Sequence, residues 1–273
     1  MQKYGIIGNP VDHSLSPVMY QAGYRVLGID AIYNKINVQV GELNSSVKKM
    51  IDSGYNGWNV TYPFKEEIIP LLDEISDEAR AIGAVNTVKA ESGRIKGYNT
   101  DGSGFVASLE EAGFSLENKN AVILGAGGAA KAIAVALAKK NVHLLILNRT
   151  LEKAHKIVNI VNGFGAKAEC GLLEKGYWLE NSDIIIQTTS IELTGGRFPF
   201  FLEGISQEAL VVDIIYNPWE TSFLAEARLG GCKTMNGLNM LLFQGIEAWK
   251  IWFGREAPSE VMKKALLSRL GYK

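Results

Sequence analysis

The amino-acid sequence predicts an α/β protein with two α/β domains, the first with a mostly parallel sheet and the second built behind a glycine-rich loop. Three observations support this prediction. Short apolar runs alternate with amphipathic segments almost from end to end, as in sheets wrapped by helices. The 273 residues suffice for about two domains. The glycine-rich loop begins only at Gly125, so a complete α/β unit precedes it.

The residues before that loop define the first unit. The apolar run 4–7 predicts a strand that ends at Gly8, and Ser16 followed by Pro17 predicts an N-cap and the first turn of a helix. Two short runs that flank Glu91-Ser92-Gly93 predict a hairpin of residues 85–90 and 94–98. The other predicted elements are strands at 31–38 and 57–60 and helices at 16–27, 42–52, 64–72, 77–82 and from 101.

The second unit opens with a strand at 121–124 that leads into the glycine loop. Gly230 and Gly231 close a helix at 222–229, as glycines after helix ends do. The boundary between the units is expected near residues 101–119. The remaining predicted elements are strands at 142–147, 183–187, 211–215 and 233–235 and helices at 129–140, 150–161, 238–253 and 259–270.

Composition and charge exclude several classes of function. The chain has 28 Lys and Arg against 29 Asp and Glu, whereas a nucleic-acid-binding protein normally has a basic excess or stripe. The longest apolar run, residues 132–138, is far shorter than the roughly 20 residues that span a bilayer. Cys170 and Cys232 fit neither a disulfide framework nor a metal-ligand spacing. We therefore expect a cytoplasmic protein that uses no metal and binds neither nucleic acid nor membranes.

The glycine loop predicts a dinucleotide site. Gly125-x-Gly127-x-x-Ala130 matches the pattern G-x-G-x-x-G/A with a predicted strand before it and a predicted helix after it. The first glycine permits a tight turn, the second lets the backbone approach a pyrophosphate, and the small Ala130 permits close packing of helix on strand. The helix N-terminus supplies amide donors and a positive dipole end.

The next strand distinguishes between the two nicotinamide cofactors. An NAD site places Asp or Glu about 20 residues after the glycines to bind the ribose 2′-hydroxyl. This strand instead ends in Leu147-Asn148-Arg149-Thr150, without an acid at its tip. Because the Arg149 guanidinium can bind a 2′-phosphate with two parallel hydrogen bonds, the sequence predicts NADP.

Polar residues follow the predicted strands of the first unit, at the carboxyl ends where open α/β sheets bind ligands. They occur in Ser14-Leu15-Ser16, in residues 59–65, in Asn86-Thr87 and in Asn99-Thr100-Asp101. Hydroxyls and amides with one Lys and one Asp suit a small polyhydroxylated ligand. Ser16 and Asp101 also fit helix N-caps. Lys65 lies in the first turn of the helix predicted after Pro63, where a positive charge opposes the helix dipole.

Together, these segments resemble the shikimate dehydrogenase family over nearly the full length of the chain. The matching segments are Gly8-Asn-Pro-Val-Asp-His-Ser-Leu-Ser-Pro17, Asn59-Val-Thr-Tyr-Pro-Phe-Lys65, Gly83-Ala-Val-Asn-Thr87, Gly97-Tyr-Asn-Thr-Asp-Gly102, Gly125–Ala130 and Asn148-Arg-Thr150. The resemblance implies NADPH-dependent reduction of 3-dehydroshikimate to shikimate, with Lys65 and Asp101 transferring the proton. It also implies C-terminal helices that return to a substrate domain of residues 1–101 and about 238–273, and a Rossmann-like NADP domain of residues 102–237.

The resemblance further implies a set of ligands for each small molecule. The substrate shikimate or 3-dehydroshikimate would be bound by Ser14, Ser16, Asn59, Thr61, Lys65, Asn86, Asp101, Tyr216 and Gln244. NADP would be bound by Gly125, Ala126, Gly127, Gly128, Ala129, Asn148, Arg149, Thr150, Lys153, Thr189, Ile214, Gly237 and Met240. We expect a monomer or a homodimer.

The chain departs from the family pattern near the expected cofactor. It has Gln187-Thr188-Thr189-Ser190 where the family usually reads Asn-Ala-Thr-Ser, and Asn239 where Gly is usual. Ser222 replaces a common proline at a helix start.

Two other functions fit the same fold: a quinate/shikimate dehydrogenase that prefers NAD, and a non-catalytic NADP-binding regulator. The missing acid after Leu147 argues against the first, and the presence of both Lys65 and Asp101 argues against the second.

Overall fold

The computed structural model describes residues 1–174, 176–192, 196, 198 and 204–272. The chain divides into two compact units: a first unit of Met1–Gly104 with Leu242–Lys273, and a second unit of Phe105–Leu241. These boundaries lie a few residues from the expected 101 and 238. The chain changes unit inside two helices, at 104/105 and 241/242, rather than in linkers.

In the described residues, the first unit contains a mixed six-stranded sheet with the order β2-β1-β3-β5-β6-β4. The β1 strand pairs in parallel with β2 and β3, and β4 pairs in parallel with β6. The β5 strand is antiparallel to both β3 and β6, and β5 and β6 form the predicted hairpin. The strands are β1 (Gln2–Gly8), β2 (Ala31–Asn37), β3 (Gly57–Val60), β4 (Glu74–Ile75), β5 (Thr87–Glu91) and β6 (Arg94–Tyr98).

The helices of the first unit bury aromatic side chains against this sheet. Trp58 of β3 is fully buried, and so are Tyr20 and Trp249, which stack on each other with ring centroids 6.4 Å apart. The helices are α1 (Ser16–Val26), α2 (Leu43–Asp52), α3 (Asp77–Ile82), the start of α4 (Asp101–Glu111), most of α8 (Leu238–Phe253), and α9 (Ser259–Arg269). Ser76 caps α3 and accepts a hydrogen bond from the Ala79 amide at 3.2 Å.

The helix predicted at 64–72 is wrong. Residues 62–68 form consecutive turns, and only Ile69–Leu71 completes a 3₁₀ turn. Pro70 lies inside this run, and proline has no amide hydrogen and clashes with the carbonyl four residues earlier. Lys65 is therefore not in the first turn of an α-helix, and a repulsion from a helix dipole does not apply to it.

In the described residues, the second unit contains a six-stranded sheet in which every pair is parallel, with the order β12-β11-β10-β7-β8-β9. Numbered within the unit, this is the order 3-2-1-4-5-6 of the Rossmann fold. The strand order reverses between the neighbouring strands β7 and β10, and sheets of this type bind ligands beside the carboxyl ends of the strands at that point. The strands are β7 (Asn120–Leu124), β8 (His143–Asn148), β9 (Ala168–Leu172), β10 (Ile184–Gln187), β11 (Leu210–Asp213) and β12 (Lys233–Met235).

The helices of the second unit, α5 (Gly128–Ala138), α6 (Leu151–Asn162) and α7 (Ser222–Leu229), lie close to their predicted positions. Ile123, Ile133 and Ile146 are fully buried in the core formed by the sheet and α5. Gly230 caps α7, and Gly231 adopts a positive φ of 89°, as expected. None of the helices in the described part of the chain has the length and hydropathy to cross a membrane.

Candidate active site

Several polar segments of the first unit meet at one edge of its sheet. Because β1 and β3 are parallel, the loops that follow Gly8 and Val60 leave the same edge. Because β5 runs opposite to β3 and β6, its first residue, Thr87, and the loop after Tyr98 lie there as well. This edge collects the predicted substrate ligands of the first unit that lie between residues 14 and 101.

Lys65 and Asp101 form an ion pair at this edge. Lys65 Nζ lies 2.5 Å from Asp101 Oδ2. The Lys65 side chain is 19% exposed and the Asp101 side chain 7%, so the pair is largely shielded from solvent. The main chain of Lys65 is fixed too, because its carbonyl accepts a hydrogen bond from the Val85 amide at 2.7 Å. The structure thus brings together the two residues predicted to transfer a proton.

Asn86 connects Asp101 to the rest of the site. Its Nδ2 donates to Asp101 Oδ1 at 2.8 Å and to Thr100 Oγ1 at 2.9 Å, and its Oδ1 accepts from the Thr100 amide at 2.8 Å. Gln244 of α8 places its Oε1 3.5 Å from the same Nδ2. Gly104 allows this approach, since a Cβ at that position would lie 2.5 Å from the Gln244 main-chain nitrogen.

Asn59 is 4% exposed and uses both amide hydrogens inside the protein. Its Nδ2 donates to the Asn86 carbonyl at 3.2 Å and to Thr87 Oγ1 at 3.0 Å. Its Oδ1 accepts from the Tyr33 hydroxyl at 2.7 Å. A contact between Asn59 and a ligand stays a prediction, and in this arrangement only a lone pair of Oδ1 would be used for it.

The loops after β1 and β3 are packed against each other. A Cβ on Gly8 would lie 2.3 Å from Thr61 Cγ2, so glycine is required for this contact. Ser14 Oγ accepts from the Ser16 amide at 3.3 Å. The prediction that Ser16 is the N-cap of α1 is wrong: Leu15 precedes the helix, and Ser16 is its first residue.

The glycine loop of the second unit has the expected geometry. Gly125 has a φ of +115°, and a Cβ on it would lie 2.6 Å from Thr188 Oγ1. A Cβ on Gly127, in contrast, would meet no atom within 4 Å, which leaves space directly before α5. The first amide groups of a helix have no acceptor within the helix, so those of Gly128 and Ala129 are donors for an anion in that space.

The tip of β8 carries the predicted phosphate ligands. Asn148 Nδ2 donates to the Thr150 carbonyl at 2.9 Å and orders the turn into α6. Arg149 and Lys153 are exposed on this turn. Glu152, the acid in the first turn of α6, pairs with Lys156 at 3.4 Å. These cations fit a 2′-phosphate, and the tip carries no acid that would favour a free 2′-hydroxyl.

The loop after β10 contains the hydroxyl of Thr189, a buried polar group. The Thr189 hydroxyl oxygen is buried and has no hydrogen-bond partner among the described residues. Gln187, a departure from the family pattern, fixes this loop, because its Oε1 accepts from the Thr189 amide at 2.5 Å and its Nε2 donates to the Thr189 carbonyl at 3.3 Å. Thr188, the other departure, donates its hydroxyl to the Leu124 carbonyl at 2.8 Å. An orphaned hydroxyl beside the glycine loop fits a bound dinucleotide.

The remaining predicted cofactor residues lie after β11. Gly237 contacts Ile214 so closely that a Cβ on Gly237 would lie 1.9 Å from the Ile214 carbonyl oxygen. Met240 is buried in the core of the second unit, with Ile214 packed against that core. Tyr216, predicted to bind substrate, belongs to the second unit. Its role stays a prediction.

Asp213 was not singled out from the sequence. It ends β11, is fully buried, and accepts hydrogen bonds from the Ile215 amide at 2.9 Å and the Thr221 hydroxyl at 2.8 Å. Burial raises the pKa of its carboxyl to about 6. The available signal was an acid at the end of an apolar strand, where burial requires hydrogen-bond partners.

Comparisons with known proteins agree with this geometry. Family profiles match over most of the chain: the shikimate dehydrogenase substrate binding domain at residues 6–88, shikimate/quinate 5-dehydrogenase at 108–214, and the shikimate 5′-dehydrogenase C-terminal domain at 237–267. The NADP⁺-dependent shikimate dehydrogenase of Desulfitobacterium hafniense is 49% identical over 99% of each chain.

Solved structures give the same result. A shikimate dehydrogenase crystallised with NADP⁺ superposes with a TM-score of 0.91 at 40% identity, covering 99% of this chain and 96% of that chain. The shikimate 5-dehydrogenase of Thermus thermophilus, crystallised with NADP(H) and shikimate, has a TM-score of 0.87 at 33% identity, covering 99% of this chain and 100% of that chain.

Proposed function

The chain belongs to the shikimate dehydrogenase family, and from this premise we propose that it catalyses the reversible, NADPH-dependent reduction of 3-dehydroshikimate to shikimate. The observation that carries the proposal is the ion pair of Lys65 and Asp101, 2.5 Å apart at the ligand-binding edge of the first unit. A dinucleotide-binding regulator would have no use for a shielded ammonium held in this way.

The substrate is bound by the first unit in this proposal. The hydroxyls of Ser14, in the loop after β1, of Ser16, the first residue of α1, and of Thr61, in the loop after β3, bind its carboxylate and a ring hydroxyl. Asn86, Asp101 and Gln244 orient the ring through its other hydroxyls. Support comes from the convergence of these polar groups on one edge of the sheet.

Lys65 carries the proton. NADPH, when bound, supplies a hydride to the substrate carbonyl carbon. The Lys65 ammonium donates a proton from Nζ to the carbonyl oxygen, so that a neutral hydroxyl forms instead of an alkoxide. Asp101 holds Nζ in place and stabilises the ammonium before transfer. In the oxidation of shikimate, Lys65 Nζ accepts the same proton.

The second unit binds the cofactor. The amides of Gly127, Gly128 and Ala129 donate to the pyrophosphate at the N-terminus of α5. Arg149 and Lys153, with Asn148 and Thr150 on the same turn, bind the 2′-phosphate. The nicotinamide half is bound by Thr189 after β10, Ile214 after β11, Gly237 after β12 and Met240 in α8.

One assay tests the proposal. The initial rate of cofactor reduction is measured with shikimate or quinate, each combined with NADP⁺ or NAD⁺. We expect the largest kcat/KM for shikimate with NADP⁺. A preference for NAD⁺ would support the quinate/shikimate alternative, and no turnover with any pair would support the regulator.

The oligomeric state and the cellular compartment of the enzyme are also proposals. The enzyme works in the cytoplasm, which is supported by the two cysteines that form no disulfide. It is a monomer or a homodimer. Light scattering on the purified protein separates the two oligomeric states. A larger assembly would contradict the proposal.

A further inference from the structure

We propose that Thr87 is a positioning residue for the ion pair of Lys65 and Asp101, and that it acts through the orientation of the Asn86 side-chain amide. This inference rests on the proposed function, in which that pair transfers the proton. Thr87 is fully buried and is the first residue of β5. Its hydroxyl donates to Asn86 Oδ1 at 3.0 Å.

The orientation of the Asn86 amide decides how Asp101 is held. With Nδ2 toward Asp101, the carboxylate receives a hydrogen bond at 2.8 Å. A rotation of the amide by a half-turn would place Oδ1 against Asp101 Oδ1, so that two acceptors would face each other. Asp101 would then be displaced, and Lys65 Nζ with it.

Three donors lie within hydrogen-bond distance of Asn86 Oδ1: the Thr100 amide, the Thr100 hydroxyl at 3.2 Å and the Thr87 hydroxyl. Because the Thr100 hydroxyl also accepts from Asn86 Nδ2 at 2.9 Å, the orientation of the Asn86 amide is decided by the Thr100 amide and the Thr87 hydroxyl. The Thr100 amide can only donate, and it lies 2.8 Å from Asn86 Oδ1. The Thr87 hydroxyl is the second donor, but a hydroxyl can point its hydrogen in several directions. Thr87 therefore holds Asn86 only if another group directs that hydrogen.

Asn59 supplies that direction. Its Nδ2 donates to Thr87 Oγ1 at 3.0 Å, which fills the acceptor side of the hydroxyl and turns its hydrogen toward Asn86 Oδ1. Asn59 is itself oriented by the Asn86 carbonyl, 3.2 Å from Nδ2, because a carbonyl can only accept. The Tyr33 hydroxyl donates to Asn59 Oδ1 at 2.7 Å and completes the arrangement.

Tyr33 is fixed by packing. Its ring is 2% exposed and stacks on that of Tyr20, with centroids 4.6 Å apart and an angle of 18° between the planes. The Tyr20 hydroxyl in turn donates to the Gly245 carbonyl of α8 at 3.1 Å. A continuous chain of hydrogen bonds thus runs from the aromatic core through Asn59, Thr87 and Asn86 to Asp101. Backbone groups orient the two amides of this network, Asn59 through the Asn86 carbonyl and Asn86 through the Thr100 amide.

The test compares two substitutions of Thr87. Thr87→Val keeps the shape and removes the hydroxyl, and Thr87→Ser keeps the hydroxyl and removes a methyl group. Thr87→Val removes the hydrogen bond to Asn86 Oδ1 and the one from Asn59 Nδ2. We expect it to lower kcat for shikimate oxidation about 10-fold, as the loss of the buried hydrogen bond that orients Asn86 implies, with KM for NADP⁺ unchanged. Thr87→Ser should stay within about 2-fold of the wild-type kcat.

A second pair of variants tests whether the series of hydrogen bonds that ends at Asp101 depends on Tyr33. Tyr33→Phe should lower kcat in the same direction as Thr87→Val, since Asn59 loses the donor on its Oδ1. Tyr24→Phe is the matched control: Tyr24 lies in the same aromatic cluster, and its hydroxyl is buried without a partner among the described residues. Its kcat should equal that of the wild type.

The outcomes distinguish a positioning role of the Thr87 hydroxyl from a role of Thr87 in packing alone. Equal losses in Thr87→Val and Thr87→Ser, or a wild-type kcat in Thr87→Val, would overturn the inference. A crystal structure of Thr87→Val gives a readout that needs no substrate: Asn86 Nδ2 and Asp101 Oδ1 should lie beyond hydrogen-bond distance, about 3.5 Å. An unchanged contact would overturn the inference as well. A wild-type protein inactive on shikimate would instead contradict the proposed function.

Discussion

Lys65 Nζ and Asp101 Oδ2 lie 2.5 Å apart, although 36 residues separate them in the sequence. Lys65 belongs to the loop after β3, and Asp101 begins α4 directly after β6. They meet because β3 and β6 run in the same direction on either side of β5. The hairpin of β5 and β6 therefore builds the site as much as the two residues do.

The first prediction concerns the role of Lys65. Replacing it with alanine removes the proton donor, while most substrate contacts remain. We expect Lys65→Ala to lower kcat by roughly 10²–10⁴ with a smaller effect on KM. Steady-state kinetics with shikimate and NADP⁺ measure both. Lys96→Ala is the control, because Lys96 pairs with Glu74 on β4 and should keep the wild-type kcat. A near-normal kcat for Lys65→Ala would remove Lys65 from the chemistry.

The second prediction concerns cofactor choice. If Arg149 binds the 2′-phosphate, Arg149→Ala should weaken NADP⁺ binding by about 1.5–3 kcal/mol and leave NAD⁺ binding nearly unchanged. Titration calorimetry with each dinucleotide measures the difference. Lys156→Ala, on the helix α6 that follows the turn of Arg149, is the control, since Lys156 pairs with Glu152. An unaltered affinity for NADP⁺ in Arg149→Ala would refute the assignment.

The third prediction uses two glycines with opposite surroundings. The space beside Gly127 is open and its φ is −88°, so Gly127→Ala should change the free energy of unfolding by no more than about 1 kcal/mol and weaken NADP⁺ binding. A Cβ on Gly237 would lie 1.9 Å from the Ile214 carbonyl oxygen, so Gly237→Ala should destabilise the protein by about 2 kcal/mol or more.

Urea unfolding and cofactor titration on both variants check this contrast. If Gly127→Ala binds NADP⁺ as tightly as the wild type, the pyrophosphate does not approach the backbone at residue 127. If Gly237→Ala unfolds like the wild type, the contact with Ile214 relaxes without cost.

The sequence predicted elements well where their patterns are strong. The predictions for β3, β12, α7 and α8 match the structure residue for residue, because apolar periodicity and flanking glycines are clear there. It missed β4, which has two residues, and β9, whose sequence Ala-Glu-Cys-Gly-Leu lies at a sheet edge with little apolar pattern. Propensity has little signal in such short or half-exposed strands.

The network around Asn86 could not be predicted in the same way. Its polar residues were visible in the sequence, but the contact of Asn59 with Thr87 depends on the antiparallel register of β3 and β5. That register follows from packing of the whole sheet. Tyr33, on β2, comes within reach of Asn59 only because β1, between β2 and β3, pairs with both.

The fourth prediction concerns pH. Burial raises the pKa of the Asp213 carboxyl to about 6, against about 3.9 for an aspartate in an unfolded chain. Between these values the folded state binds more protons than the unfolded state, so the contribution of Asp213 to stability is present below pH 4 and is lost as the pH rises through 6. Glu192, the nearby carboxylate, adds to the shift.

The variant Asp213→Asn removes this titration. Its free energy of unfolding relative to the wild type should therefore increase by about 1–3 kcal/mol between pH 4.5 and pH 7.5, whatever its absolute value. Urea unfolding at several pH values measures the difference.

The control is Asp183→Asn. Burial alone would raise the pKa of the Asp183 carboxyl, but hydrogen bonds from the Asn120 amide and Lys119 outweigh burial and lower that pKa. The free energy of unfolding of Asp183→Asn relative to the wild type should change little between pH 4.5 and pH 7.5, and it should decrease rather than increase as the pH rises. Parallel pH curves for the wild type and Asp213→Asn would show that the Asp213 carboxylate is ionised at no cost, because its bonds from Ile215 and Thr221 then compensate its burial in full.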